Sequence, residues 1–300
     1  MNNEALQAEG GRIGSGDLFL IGAVFAWGIN FPFAKYTLNF MDPIVFSATR
    51  YVAASVLLFA LLWVRKASIA ISLREAGMLV VIGLLSVTLF QGGWAYGLNL
   101  TSASKASVLI TTSPIFGALI SACMGNRPGM KDWFGILLAF LGVVFVINNS
   151  LTEITIGMGS ITGDLLIIGA AFMWAAYTFV SGPLVAKRGP ILVTAWGTLF
   201  GSIVLTLAGI PSLALQDWGS LPALGWLAWV STAVLGAALA FVWYCAGIAR
   251  IGVTKGMVYS FFIPVIAILS SVILLNEVIT FVQIIGAAIV LLGVKLTRTT

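Results

Sequence analysis

The chain has 300 residues, of which 60% are hydrophobic and only 8% are charged, and its mean hydropathy is +1.09. This composition excludes a soluble globular domain and predicts a membrane protein. The formal net charge is +5, with no histidine and with two cysteines, Cys123 and Cys245. Metal sites of the Cys/His type are therefore excluded and no cofactor is expected. Each cysteine falls inside a predicted helix with no second cysteine nearby, so a disulfide is not expected either.

The first sixteen residues carry Glu4, Glu9 and Arg12 and lack the basic region and small-residue cleavage site of a signal peptide. The first helix is therefore expected to stay as an anchor. A helix needs roughly 20 apolar residues to cross a membrane. The chain offers about ten such stretches, at about 18–38, 44–64, 76–98, 105–125, 132–148, 164–185, 191–210, 223–248, 255–275 and 279–296. The predicted fold is an all-α membrane protein with five helices in each half.

The two halves repeat each other. The segment Gly16–Trp27 returns as Gly163–Trp174 with most residues identical or similar. Five helices is an odd number, so the second copy must enter the membrane from the opposite side, and the repeat is inverted. Inverted repeats are typical of transporters that use alternating access around a site at mid-membrane. The predicted organisation is a cytoplasmic segment 1–16, a first repeat 17–149, an external linker 150–162, a second repeat 163–297 and a cytoplasmic tail 298–300.

The basic residues support this arrangement, because lysine and arginine concentrate at the cytoplasmic ends of membrane helices. Placing both termini in the cytoplasm leaves only Lys35, Arg50 and Lys105 in the outer half. The basic residues then at inner ends are Arg12, Arg65, Lys66, Arg74, Arg127, Lys131, Lys187, Arg188, Arg250, Lys255, Lys295 and Arg298.

Glycine and proline occur at equivalent positions in the two halves. Gly135 and Gly142 match Gly286 and Gly293, a spacing of two helical turns that favours close helix packing. Pro114 and Pro264 lie near the middle of equivalent helices, where the ring frees a backbone carbonyl. They predict either a static kink or a hinge for the transport movement.

Aromatic and polar residues share helix faces near mid-depth. Trp27 and Asn30 lie on one face of the first helix, and Trp174 with Tyr177 and Thr178 lies on the corresponding face of the sixth. Such faces predict a weakly charged cavity for an amphipathic small molecule, although scattered core aromatics are an alternative for any single residue. The candidate substrate-binding residues are Trp27, Asn30, Gln91, Trp94, Tyr96, Ser107, Thr111, Trp174, Tyr177, Thr178, Ser181, Tyr244 and Tyr259.

Three charged residues fall near the outer helix ends. Lys35 and Arg50 flank Asp42 in the first connecting turn, which predicts a charge cluster at the outer rim. The alternative is a site for a substrate carboxylate during release. Asp164 and Glu277 also lie near outer ends, and the chain has no histidine, so no proton relay is evident and the driving force stays open.

These residues resemble the EamA-type members of the drug/metabolite transporter superfamily over nearly the whole chain. The resemblance lies in Trp27-Gly28-Ile29-Asn30-Phe31, Lys35, Arg50, Pro114, Pro264, Asn276-Glu277, Gly286 and Gly293. Within that family the chain looks like bacterial exporters of aromatic amino acids. The resemblance implies a multi-pass bacterial inner-membrane exporter of aromatic and other neutral amino acids or related metabolites, with a central cavity between the halves.

The first half departs from the family pattern. Cys123-Met124-Gly125-Asn126-Arg127 lacks the acid that Glu277 supplies in the second half, and Gly182 and Gly197 replace the counterparts of Lys35 and Arg50. The departures argue against a strictly symmetric binding role and are compatible with a directional site built mainly from the first half. Export of other metabolites or drugs is the main alternative. A passive channel, an intramembrane enzyme and a carrier of phosphorylated sugars fit less well, because charged rings, a catalytic set and convergent cations are missing. A monomer in contact with membrane lipid is expected, with no nucleic-acid partner.

Overall fold

A computed structural model describes residues 14–125, 129–148, 158–251 and 259–296 of the chain. Most of the described residues are helical, with no strand among them. The predictions for Arg12, Arg127, Lys255 and Arg298, for most of segment 1–16 and of linker 150–162, and for the tail 298–300 fall outside the described residues.

Among the described residues, the longer helices form ten rods, labelled here α1 to α10, in agreement with the predicted fold class; a short helix, Ile210–Leu215, lies in the connection between α7 and α8. Seven of them are long and apolar enough to cross a membrane, and Phe262–Leu275 and Phe281–Gly293 are shorter apolar helices. The rods are α1 Ser15–Thr37, α2 Pro43–Val64, α3 Leu73–Leu100, α4 Ala103–Cys123, α5 Met130–Asn148, α6 Met158–Arg188, α7 Pro190–Ala208, α8 Ala223–Ile251, α9 Phe262–Leu275 and α10 Phe281–Leu296.

The packing of the rods follows a pseudo-two-fold symmetry. Helix α1 packs against α8 and α9, and its counterpart α6 packs against the equivalent α3 and α4. Helices α2 and α7 pack against each other across the symmetry axis, and so do α5 and α10. Large apolar side chains such as Leu18, Leu207 and Leu227 are exposed on the outside of the bundle. The outer surface of the bundle is thus suited to lipid.

The contacts of two equivalent aspartates show that the second repeat is inverted. Asp17, at the start of α1, accepts a hydrogen bond from Tyr259 just before α9. Asp164, at the start of α6, contacts Thr101 and Lys105, where α3 ends and α4 begins. The chain crosses the bundle three times between the start of α1 and the end of α3, so these two points lie at opposite ends of the bundle. Because Asp164 lies beside the end of α3, the two repeats begin at opposite ends.

The repeated glycines allow helices to touch backbone to backbone. A Cβ atom on Gly142 would lie 2.6 Å from the Val290 nitrogen, and one on Gly293 would lie 2.6 Å from the carbonyl oxygen of Gly135. The Cβ of any larger residue would collide with the neighbouring backbone there. The predicted close packing of α5 against α10 through small residues is therefore confirmed.

Helix α4 is broken just before its proline. Its α-helical parts are Ala103–Ile110 and Ser113–Cys123, and Pro114 lies in the first turn of the second part, where proline is well tolerated. Pro264 lies in the first turn of α9, just after a 3₁₀ segment at Tyr259–Phe261. Pro114 thus begins the second part of a broken helix, and Pro264 follows closely on a 3₁₀ turn, whereas the sequence predicted each proline inside a continuous helix.

Helices α3 and α8 each contain a π-helical segment that the sequence did not predict. The segments are Leu84–Leu89 in α3 and Thr232–Leu239 in α8, at corresponding places in the two repeats. A π segment widens the helix by one residue, leaves carbonyl groups with poorer internal hydrogen bonds and often marks a functional site. Both segments lie next to the cavity described below.

Candidate functional site

A cavity lies between the two repeats at the middle of the bundle. Its wall comes from α1, α2, α3, α4, α6, α8 and α9 and from the 3₁₀ segment before α9. About 60 Å³ is open to the centres of water molecules, enough for only a few waters in this conformation. The residues that line it are Trp27, Asn30, Phe31, Arg50, Tyr51, Phe90, Gln91, Trp94, Ile110, Thr111, Ser113, Trp174, Gly236, Phe241, Ser260 and Ile263.

Two symmetry-related tryptophans meet in the wall of this cavity. The rings of Trp27 and Trp174 are perpendicular, with their centroids 5.4 Å apart. Phe241 lies 5.7 Å from the first ring and 5.4 Å from the second, and Tyr244 contacts both. Edge-to-face contacts of this kind add to the energy of burial and hold the rings in defined orientations.

The π segment of α8 fixes the orientation of Trp27. The indole Nε1 donates a hydrogen bond of 3.0 Å to the carbonyl oxygen of Gly236. A Cβ atom on Gly236 would lie 2.4 Å from Oδ1 of Asn30, so a larger residue at this position would displace the Asn30 side chain. In this way α8 places both Trp27 and Asn30 in the cavity wall.

Arg50 is a fully buried cation in the same wall. Its side chain is only 1% exposed, and Nη2 donates a hydrogen bond of 2.6 Å to Oε1 of Gln91. The guanidinium carbon lies 4.6, 4.9 and 5.3 Å from the ring centroids of Phe46, Tyr51 and Trp94. Cation–π attraction at these distances offsets part of the cost of removing the charge from water.

The ion pairs among the described residues leave Arg50 without a carboxylate. These pairs are Lys105 with Asp164, Lys187 with Glu75 and Arg188 with Glu75. Within the same part of the chain, Nε of Arg50 makes no hydrogen bond, and neither does Oδ1 of Asn30. The cavity wall therefore carries one unneutralised positive charge and one unsatisfied acceptor.

Six of the predicted substrate-binding residues line the cavity: Trp27, Asn30, Gln91, Trp94, Thr111 and Trp174. The others lie elsewhere. Tyr177 and Tyr244 form a buried layer behind the tryptophans, with the Tyr177 hydroxyl 3.5 Å from Sγ of Cys245. The hydroxyls of Ser107 and Thr178 donate to carbonyl oxygens of their own helices.

Three further candidates are displaced from the cavity for different reasons. Tyr96 is 39% exposed and interacts with Asp42 at the end of the bundle. Tyr259 donates a hydrogen bond of 2.6 Å to Asp17, which ties its ring to the start of α1. Ser181 is buried on α6, one turn after Tyr177. The cavity lining does not include them.

The predicted outer-rim charge cluster is corrected by the structure, because its three members do not meet. Lys35 donates hydrogen bonds of 2.8 and 3.0 Å to the carbonyl oxygens of Leu98 and Asn99 at the end of α3. Asp42 caps the start of α2 by accepting from the backbone nitrogen of Ile44. Arg50 is the eighth residue of α2, about 10 Å along the helix axis at 1.5 Å per residue, and its side chain reaches the cavity.

A separate polar cluster holds α4 against the second repeat. Nζ of Lys105 lies 2.7 Å from Oδ2 of Asp164, and both side chains are buried. Glu277, in the turn between α9 and α10, accepts hydrogen bonds from the backbone nitrogens of Ala103 and Ser104. A carboxylate at this place satisfies the free N–H groups at the start of α4 and complements the helix dipole.

The sequence analysis missed Tyr51, Phe90 and Phe241 as cavity residues. Tyr51 follows Arg50 and Phe90 precedes Gln91, so each could have been found as the neighbour of a buried polar residue. Phe241 had no such signal, because its place depends on the extra residue that the π segment inserts into α8. Among the described residues, no group of three or more potential metal ligands occurs.

Comparison with known proteins agrees with this architecture. The model of the EamA-like transporter family matches the chain twice, at residues 14–148 and 161–299. The chain belongs to the EamA-like transporter family. The two matches correspond to the two inverted repeats and cover both walls of the cavity.

Several similar proteins are described as uncharacterized transporters. An uncharacterized transporter of Archaeoglobus fulgidus is 30% identical over 93% of this chain and 96% of its own length. The uncharacterized transporter YyaM of Bacillus subtilis is 25% identical over 92% of this chain and 91% of its own length. A solved crystal structure superposes with a TM-score of 0.68 over 94% of this chain and 96% of that chain, at 17% identity, which shows the fold alone.

Proposed function

We propose that this transporter exports aromatic and other neutral amino acids, or closely related small metabolites, by alternating access around the central cavity. The observation that carries the proposal is the meeting of Trp27 and Trp174, equivalent residues of the two repeats, in the wall of one cavity. An aromatic wall with few polar groups suits a cargo that has a ring or an aliphatic stem and one polar end.

The size of the cavity supports a moving carrier. A space that holds only a few waters is too small for a whole amino acid, so binding requires the repeats to separate. Inverted repeats provide such a movement, because each half can adopt the conformation of the other. A bacterial inner membrane with both termini in the cytoplasm is the proposed location and orientation.

A counterflow assay in proteoliposomes tests this function. Vesicles loaded with unlabelled phenylalanine should accumulate labelled phenylalanine, tryptophan and threonine, and uptake should saturate with concentration. Uptake of labelled amino acid that neither saturates nor depends on the unlabelled phenylalanine inside would indicate a passive channel. Counterflow of unrelated drugs, but of no amino acid, would indicate the alternative cargo.

The same vesicles test the driving force. Among the described residues that line the cavity, Arg50 is the charged one, and no acidic side chain contributes to the wall. Counterflow is therefore expected to be the same with and without a pH gradient. A gradient-dependent rate would require a proton-binding group in the transport cycle.

A further inference from the structure

We propose that Arg50 binds the carboxylate of the transported molecule and that the cavity selects cargo with a single carboxylate. Gln91 and Tyr51 act as positioning residues for its guanidinium group. The inference rests on the proposed function and names the chemical group by which the same cavity recognises its cargo.

The first step of the argument is the missing counter-ion. Taking a guanidinium group out of water without a partner is costly, and buried charges in proteins are normally paired. In the described part of the chain, Arg50 has one neutral oxygen acceptor, Oε1 of Gln91, and three aromatic rings around it. These contacts hold the cation in place and leave its charge available to an anion.

The second step is the geometry of the free donors. Nε of Arg50 makes no hydrogen bond within the described residues, although the side chain is fully buried in the cavity wall. Arginine presents its N–H groups as a planar fork, and a carboxylate matches that fork with two parallel hydrogen bonds. The Tyr51 ring lies 4.9 Å from the guanidinium carbon and so helps to fix the plane of the fork.

The third step is the number of charges. Among the described residues of the cavity wall, Arg50 is the one permanent cation, so a monoanionic group is favoured over a phosphate with two charges. Asn30 lies in the same wall with an unsatisfied Oδ1, which can accept a hydrogen bond from an ammonium group when cargo enters. The rings of Trp27 and Trp174 are left for the apolar part of the molecule.

A matched ligand series tests the carboxylate independently of transport. The full-length protein in detergent is titrated with L-phenylalanine, 3-phenylpropionate, L-phenylalaninamide and phenethylamine, and binding is measured from the shift in thermal unfolding. The first two ligands carry a carboxylate and the last two do not. The wild type should bind the carboxylates at least about tenfold more tightly, as expected for charge-assisted hydrogen bonds.

Substitutions assign the preference to Arg50. Arg50→Gln should lower the affinity for the two carboxylates by about tenfold to a hundredfold and leave phenethylamine nearly unchanged. Arg50→Lys keeps the positive charge but removes the planar pair of N–H donors. This variant replaces Arg50→Gln if the latter fails to fold. Its affinity for the two carboxylates should fall by less than that of Arg50→Gln. The control is Arg250→Gln, since Arg250 also stacks on a ring, Phe19 at 4.7 Å, but is not in the cavity lining.

The outcomes separate this inference from the proposed function. Amino-acid counterflow with an unchanged carboxylate preference in the folded Arg50 variants would overturn the inference and leave the function standing. Carboxylate binding that depends on Arg50, without amino-acid counterflow, would support the inference and overturn amino-acid export. Equal binding of all four ligands by the wild type would overturn the inference directly.

Discussion

Single side chains are expected to decide which molecules the cavity accepts. Trp27 is held by the carbonyl group of Gly236 and by perpendicular contact with Trp174, so its ring is already oriented before cargo binds. Orientation before binding reduces the entropy that is lost when cargo is captured. Residues fixed in this way have the largest effect on selectivity when they are replaced.

We expect Trp27→Ala and Trp174→Ala to reduce transport of aromatic cargo more than that of threonine. Loss of ring contacts worth about 0.5–1.5 kcal/mol corresponds to a several-fold weaker affinity for phenylalanine or tryptophan. Counterflow of the three amino acids in the same vesicles measures the difference. Trp226→Ala is the control, because Trp226 packs with Trp218 and Trp229 away from the cavity lining. A uniform loss for all three cargoes would show that the tryptophans serve packing alone.

At the scale of helices, the break in α4 and the 3₁₀ turn before α9 are the parts best suited to move. Thr111 and Thr112 interrupt α4, and their backbone nitrogens bond to carbonyls three residues back, at 3.1 Å each. Replacing Pro114 by alanine restores a backbone N–H group, which would favour continuation of the α-helix through this break. The hinge therefore remains a prediction that substitution can test.

We expect Pro114→Ala and Pro264→Ala to lower transport rates more than they lower stability. The free energy of unfolding should fall by about 0.4–1 kcal/mol, as for proline at a compatible site. Thermal unfolding and counterflow are compared on the same preparations. Pro43→Ala is the control, since Pro43 also occupies the first turn of a helix, at the start of α2. Normal transport by both variants would exclude the hinge.

The buried pair between Lys105 and Asp164 should stabilise the contact of α4 with α6. Asp164→Asn removes the carboxylate partner of a buried lysine and should cost about 3–5 kcal/mol. The double variant Lys105→Met, Asp164→Leu should recover much of that loss, because no buried charge remains.

Thermal unfolding in detergent measures both variants against Lys187→Met. Lys187 pairs with Glu75 but is 70% exposed, whereas Lys105 is 4% exposed. The exposed pair should contribute less than about 1 kcal/mol. If Asp164→Asn lowers the free energy of unfolding no more than Lys187→Met does, water reaches the pair of Lys105 and Asp164.

At the scale of the whole molecule, the orientation of the bundle can be tested with single cysteines. Cys123 is exposed and Cys245 is buried, so both are first replaced by alanine. Cysteine at Ser68 should react with impermeant thiol reagents only in inside-out vesicles, and cysteine at Ser220 only in intact cells. Both positions are exposed, in connections at opposite ends of the bundle. The reverse pattern would place both termini outside.

The architecture could be predicted because it depends on long-range regularities. Helix length follows from apolar stretches, and inversion follows from an odd number of helices in a duplicated chain. The cavity lining was less predictable, because a helical face fixes neither the depth of a residue nor the rotation of its helix. Arg50 illustrates the depth problem, since it lies close to a helix end in sequence yet reaches the centre. Phe241 illustrates the rotation problem, since a π segment turns the rest of α8.

Arg50 on α2 has Gly197 as its counterpart on α7, so the two repeats share a shape but differ in chemistry. If the repeats were identical, exchanging their conformations would give inward-facing and outward-facing carriers of equal energy. With the charge on one repeat alone, the exchange changes the surroundings of that charge. For a carrier that works by alternating access, we therefore expect the empty protein to rest more often on one side of the membrane and to bind cargo with different affinities at the two faces.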